Sequence, residues 1–221
     1  MSKIDCFFDC SSPWSYLGFI NLVTLSTRLG VEVNWRPVVS GFIFAEVNPD
    51  IYMTRRLISP PLKIAHERKE TQKWAAAAGV IVRAPPKCGH PVKSVKCMRG
   101  CVALQKSGKM IAFATAAYEA LWRDGRNIGH DDVLADICRQ IGVSPKSFFE
   151  AIDRQDVRDE LVRNGADLVK LGGFGVPTFY VNDEILLFGN NRLPLVEHYL
   201  RAGLRLPADE ETGLAAHQEH T

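Results

Sequence analysis

Residues 11–18 read Ser11-Ser12-Pro13-Trp14-Ser15-Tyr16-Leu17-Gly18. Just before them, Ile4 to Phe8 is a short apolar run that reads as a buried strand. Just after them, Trp14, Leu17, Ile20 and Leu25 keep roughly helical spacing until Gly30. Pro13 suits the first turn of that helix, where its missing N–H costs nothing. Val31, Val33 and Trp35 then alternate with Glu32, Asn34 and Arg36, which predicts a second strand over 31–39 with Pro37 near its end. Strand, helix and strand in this order make a βαβ unit, with parallel pairing and a right-handed crossover.

The middle of the chain changes character. Helical patterns cover about 63–78, 92–106, 110–123, 131–141, 145–154 and 157–171. Ser144-Pro145 reads as a cap followed by proline at the first helical position. Strand patterns return at Thr178–Val181 and Ile185–Phe188, on either side of a hairpin turn at Asn182-Asp183-Glu184. A closing helix follows over 192–204, and the polar, aperiodic stretch from Pro207 to Thr221 reads as a flexible tail. The plan is therefore βαβ, a helical block, then ββα. This is an α/β protein whose outer pieces form the two halves of a thioredoxin-like fold. Residues 1–45 and 172–206 are expected to make that domain, with an all-helical domain inserted at 46–171.

Composition bounds the functional classes. Of 221 residues, 46% are hydrophobic and 24% charged, the balance of a soluble globular protein long enough to bury a full core. The net charge of +2, with acids and bases intermixed, argues against a nucleic-acid surface. No apolar run reaches membrane length, and MSKIDCFFDC has no signal-peptide pattern, so a cytoplasmic protein is expected. The six cysteines form no C-x-x-C pair and read as free thiols. Cys97 and Cys101 share a helix face, with Cys88 and His90 upstream, but this is not zinc-knuckle spacing and no metal is expected.

In thioredoxin-like folds the start of the first helix carries Cys-x-x-Cys; here Ser12 and Ser15 hold those positions. A helix N-terminus acidifies a thiol, but serine yields no comparable anion and forms no disulfide. Disulfide exchange through these two residues is thereby excluded. A hydroxyl there can still donate to an anion, and a thiolate brought by a ligand would sit in the same positive field. Sulfur lost from the protein suggests sulfur supplied by a cofactor, glutathione. The bland alternative is that Ser12 is only a helix cap. A second signal lies at Gly175-Val176-Pro177-Thr178, where a cis proline is expected just before the hairpin. It would leave the Val176 backbone free to pair with an extended ligand. Cys10, two residues before Ser12, is either a nearby reactive thiol or, more commonly, a packing residue. Ser12 as a hydrolase nucleophile would need a base, and none stands near it in sequence.

The stretch from Phe8 and Asp9 through Ser12 to Gly18 resembles the 2-hydroxychromene-2-carboxylate isomerase and kappa-class glutathione transferase family, a cysteine-less branch of the DsbA-like fold. Lys63, Glu70, Trp74, Ala75 and Gly79, then Arg99, Trp122, Gly175 to Phe179 and Gly189 to Arg192, are similar to further family motifs in the same order. The resemblance implies a homodimer in which Ser12 stabilises the glutathione thiolate. Val176, next to Pro177, would pair with the cysteinyl part, and Phe188, Gly189, Asn190 and Asn191 would meet the γ-glutamyl end. It implies cis–trans isomerisation of an aromatic pyruvate. A transferase joining glutathione to small electrophiles, and a non-catalytic binding module, remain open alternatives. Two positions depart from the pattern. Asn191 stands where the family usually has Asp, and Ala45 follows Gly41-Phe42-Ile43-Phe44 where many isomerases carry a lysine. Arg55, Arg56 or Lys63 are candidates to replace that lysine toward an anionic substrate.

Overall fold

The computed structural model describes residues 3–47 and 60–202. Four strands, β1 (Ile4–Phe8), β2 (Val33–Pro37), β3 (Thr178–Val181) and β4 (Ile185–Phe188), form one sheet in the order β2-β1-β3-β4. β1 runs parallel to β2, with Ile4 beside Val33, and antiparallel to β3, with Phe7 beside Thr178. The hairpin β3–β4 turns at Asn182 and Asp183, both at positive φ, a conformation that Asn and Asp tolerate better than bulkier residues. All five residues of β1 are buried because both sheet faces are covered. Ile4, Cys6 and Phe8 enter the larger core cluster, while Phe7 joins Val38, Ile43, Leu168 and Val176 on the other side.

Helix α1 (Pro13–Leu29) begins at an N-cap, Ser12, whose Oγ accepts the Ser15 N–H at 3.2 Å. It ends at Gly30 in the left-handed region, φ 64°, where glycine has no Cβ penalty. The short helix α2 (Ser40–Val47) follows β2; it covers the Gly41-Phe42-Ile43-Phe44 stretch and was not anticipated from periodicity. The helical block supplies α3 (Pro61–Ala77), α4 (Val95–Leu104), α5 (Met110–Tyr118) with a π-helical turn at Glu119–Arg123, α6 (Asp131–Gln140), α7 (Pro145–Ile152) and α8 (Gln155–Lys170). Most ends of the sequence-based ranges shift by one to three residues, while the starts at 110, 131 and 145 coincide. Ser144 caps α7 through the Ser147 N–H at 3.4 Å, with Pro145 in the first turn as expected. A 3₁₀ turn at Asn190–Arg192 leads into α9 (Leu193–Ala202). No helix among the described residues is long and apolar enough to cross a membrane.

One close approach fixes the sheet against α1. A Cβ built on Gly18 would lie 2.7 Å from Pro177 Cγ and 3.3 Å from the Phe179 ring. The proline therefore packs directly on the α1 backbone, and only glycine leaves the room. Gly18→Ala should cost about 1–3 kcal/mol through overpacking, read as a lower denaturant midpoint with an unchanged m value.

Candidate functional site

Strand register brings the distant motifs to one end of the sheet. Phe7 pairs with Thr178, and Thr178 with Phe188. Val176-Pro177 and Gly189 therefore lie past the end of β1 from which the Ser12 turn departs. The Val176–Pro177 peptide is cis, as expected from the sequence. The Gly189 N–H donates to the Pro177 carbonyl at 2.9 Å, tying the β4 exit to the proline. Phe188 is exposed, and its ring lies 4.6 Å from that of Phe174.

The turn between β1 and α1 is held mainly through its backbone. The Asp9 carbonyl accepts from Ser12 N–H at 3.1 Å and from the Tyr118 hydroxyl at 3.4 Å. The Cys10 carbonyl accepts the Trp122 indole N–H at 3.1 Å. The Ser11 carbonyl lies 2.9 Å from His90 Nε2, which is thereby the donor. Burial holds the Tyr118 phenol well above its ordinary range, so it stays protonated and can donate.

Asp9 anchors the turn from beneath. Its carboxylate is fully buried and accepts four hydrogen bonds. Ser11 N–H donates to Oδ1 at 2.9 Å; Ser40 N–H and Ser40 Oγ each donate to Oδ2 at 2.8 Å, and Ser94 Oγ at 3.2 Å. One side chain thus joins the end of β1 to the first turns of α2 and α4. Ser94, the N-cap of α4, has helical φ and ψ and makes no side-chain cap bond; its hydroxyl donates to Asp9 instead.

The two serines at the motif positions have separate environments. Ser15 is fully buried; its Oγ accepts the Asp9 N–H at 3.1 Å and lies 3.0 Å from the Tyr118 hydroxyl. Ser12 is partly exposed. Its oxygen accepts the cap bond, and its own proton has no acceptor among the described residues. Trp14 N–H, in the open first turn, is likewise unpaired there, since Pro13 has no N–H and Ser15 and Tyr16 N–H both go to Ser12.

Further polar groups at this sheet end lack partners among the described residues. Val176 makes no backbone hydrogen bond among the described residues. Asn190 is buried, and its Nδ2 has no hydrogen-bond partner among the described residues. Asn191 is exposed at the start of the 3₁₀ turn. A hydroxyl donor, a helix-start N–H, an unpaired peptide unit beside a cis proline and an orphaned amide donor suit a peptide-like ligand bearing a thiolate and a carboxylate. Glutathione has that donor and acceptor set.

Other candidates separate from this group. Lys63 is exposed on α3, and Arg55 and Arg56 lie outside the described residues. Cys10 is fully buried in the same core cluster as Cys97 and Cys101. Burial, and then the neighbouring Cys101 and Cys97, pushes the Cys10 thiol well above its ordinary range, which makes it a packing residue. All six cysteines are free, and no His, Cys, Asp and Glu cluster among the described residues could hold a metal ion. Tyr118, Trp122 and His90 escaped sequence reasoning as supports of the turn, since they lie 79 to 112 residues from the atoms they hold. Asp9 could be read in the sequence as an acid directly after a buried apolar strand, a position at which a carboxylate can accept from turn N–H groups.

Fold and site together define a thioredoxin-type protein whose turn between β1 and α1 has no cysteine pair. The chain belongs to the DSBA-like thioredoxin domain family, whose model matches residues 3–201. It is 28% identical over 201 residues to a 2-hydroxychromene-2-carboxylate isomerase of Sphingobium xenophagum, covering 89% of this chain and 97% of that protein. It is 24% identical over 220 residues to glutathione S-transferase kappa 1 of Caenorhabditis elegans, covering 94% of each. A solved 2-hydroxychromene-2-carboxylate isomerase superposes with a TM-score of 0.76 at 20% identity, over 90% of this chain and 95% of that one.

Proposed function

We propose that this protein is a glutathione-dependent cis–trans isomerase of an aromatic pyruvate, of the 2-hydroxychromene-2-carboxylate type. The observation that carries the reading is the hydroxyl of Ser12. It caps α1 with its lone pair and keeps its proton free to donate at a helix start. The relatives named as an isomerase and as a kappa-class glutathione transferase support an enzyme of this family.

Each residue has a role under this reading. Ser12 donates its proton to the cofactor sulfur and, with Trp14 N–H and the α1 dipole, favours the ionised form. Val176 offers its free N–H and C=O to the cysteinyl backbone beside cis-Pro177. Asn190 aims its unpaired amide, and Asn191, Gly189 and Phe188 their exposed edge, at the γ-glutamyl end. When bound, glutathione supplies a thiolate that adds reversibly to the conjugated side chain, so that a former double bond can rotate before the sulfur departs. Lys63, exposed on α3, is the described candidate for the substrate carboxylate.

A titration followed by thiolate ultraviolet absorbance and binding heat tests the reading. Saturable binding with thiolate formation at neutral pH is expected; no binding at millimolar glutathione would overturn it. Asn191→Asp should tighten glutathione about three- to tenfold, because a carboxylate there can meet the α-ammonium group in a charge-assisted bond. A second reading, conjugation of glutathione to an electrophile, is favoured by Ala45 standing where many isomerases have lysine. Glutathione is regenerated in isomerisation and consumed in conjugation, which separates the two.

A further inference from the structure

A cavity of about 210 Å³ lies between α2, α4 and α8. It adjoins the Asp9 anchor: Val39 and Val95, which line it, are the direct neighbours of Ser40 and Ser94. Val39, Phe42, Ile43 and Glu46 reach it from one helical face, at the i, i+3, i+4, i+7 spacing. Leu161 and Gly165 of α8 close the opposite wall.

Two cations line this otherwise mainly apolar space, Arg99 from α4 and Arg158 from α8. The Nε of each is buried and has no hydrogen-bond partner among the described residues. Arg158 is anchored by one Nη2 contact to Asp153 at 3.2 Å, which leaves the Nε side of its fork open. Arg99 makes no ion pair or hydrogen bond among the described residues. Glu46, exposed at the rim, pairs with neither arginine. The Arg158 side chain is 41% exposed overall, but its Nε, like that of Arg99, is withdrawn from solvent; buried N–H donors are seldom left unmatched, and two on one cleft call for an anion. A planar fork fits a carboxylate better than a spherical ion. The aliphatic wall asks for an apolar body; an apolar cavity of about 150 Å³ accepts benzene, so this one has room for one ring and its acid group. Phe42 and Val162, 62% and 67% exposed, mark the mouth.

We propose that this cavity is a binding site for a small aromatic carboxylic acid, separate from the Ser12 turn. Its carboxylate is held by Arg99 and Arg158, and its ring lies against Val39, Ile43, Val95 and Leu161. α2 carries one wall of this cavity and also Phe44, which lies 3.6 Å from a Cβ position on Gly175. Occupancy would therefore order a helix that touches both Asp9 and the approach to cis-Pro177.

The test uses the full chain with trans-cinnamate, cinnamamide and inorganic phosphate, measured by titration calorimetry and thermal shift. Cinnamate should bind and raise the melting temperature, and cinnamamide and phosphate should bind at least about tenfold more weakly, since each lacks either the charge or the ring. Arg99→Gln and Arg158→Gln should each weaken cinnamate by about tenfold or more, with Arg→Lys at the same positions retaining part of the affinity as a check on folding. Ser12→Ala should bind cinnamate as the wild type does. No binding at 10 mM (roughly the weakest affinity a useful site would show), undiminished binding in the double glutamine variant, or binding lost in Ser12→Ala would each overturn the proposal.

Discussion

Ser12→Ala is expected to abolish thiolate formation on bound glutathione at neutral pH and to lower turnover by about 10²–10³-fold, the usual cost of removing one preorganised donor from a developing or resident anion. The argument rests on the division of labour within one hydroxyl. Its oxygen accepts the Ser15 N–H, and its proton is unspent. Alanine removes both functions, but the cap alone is worth only about 1 kcal/mol. The variant should therefore fold, bind glutathione more weakly, and fail to ionise it. Ser12→Thr, which keeps the hydroxyl, should recover most of the ultraviolet signal. A Ser12→Ala protein with an undiminished thiolate signal would reduce Ser12 to a helix cap, and the non-catalytic reading would replace the isomerase.

Asp9→Ala should be the most destabilising single change at this end of the molecule, about 3–5 kcal/mol. It orphans four donors, from Ser11, Ser40 twice and Ser94, and removes a fully buried acceptor. For a domain of this size that lowers the melting temperature by roughly 10 °C or more. Asp9→Asn should lose less, because one amide oxygen still accepts while the NH₂ group faces donors. Denaturant unfolding followed by tryptophan fluorescence reads both. A loss below about 1 kcal/mol in the alanine variant would show that water replaces the carboxylate, against its burial.

The outer elements were legible because their signals are local. β1, β3 and β4 occupy the residues expected, since each is a short apolar run bounded by turn-forming residues. Ser12, Pro177 and the residues after β4 could likewise be read from position alone. α2 was not legible. Its apolar face, Val39, Ile43 and Phe42, is too short to show a period, and its first N–H is satisfied by Asp9, 31 residues away. The supports of the turn fail for the same reason: Tyr118, Trp122 and His90 act on backbone atoms far away in the chain, and no sequence pattern announces such a contact. Arg55 and Arg56 were chosen by charge alone, and of the three substrate candidates only Lys63 has a described position, exposed on α3.

The hold on the turn bears on how its chemistry can change in evolution. Three successive carbonyls, of Asp9, Cys10 and Ser11, carry the contacts to Tyr118, Trp122 and His90, and none of these uses the side chain of residue 12. Position 12 is thus a socket whose occupant can be exchanged at the cost of no more than its cap bond to the Ser15 N–H. Position 15 is not, because its hydroxyl bridges the Asp9 N–H and Tyr118 in the interior. A lineage built on this frame can trade a hydroxyl for a thiol at residue 12 in one step, while acquiring a dithiol requires rebuilding the floor beneath it.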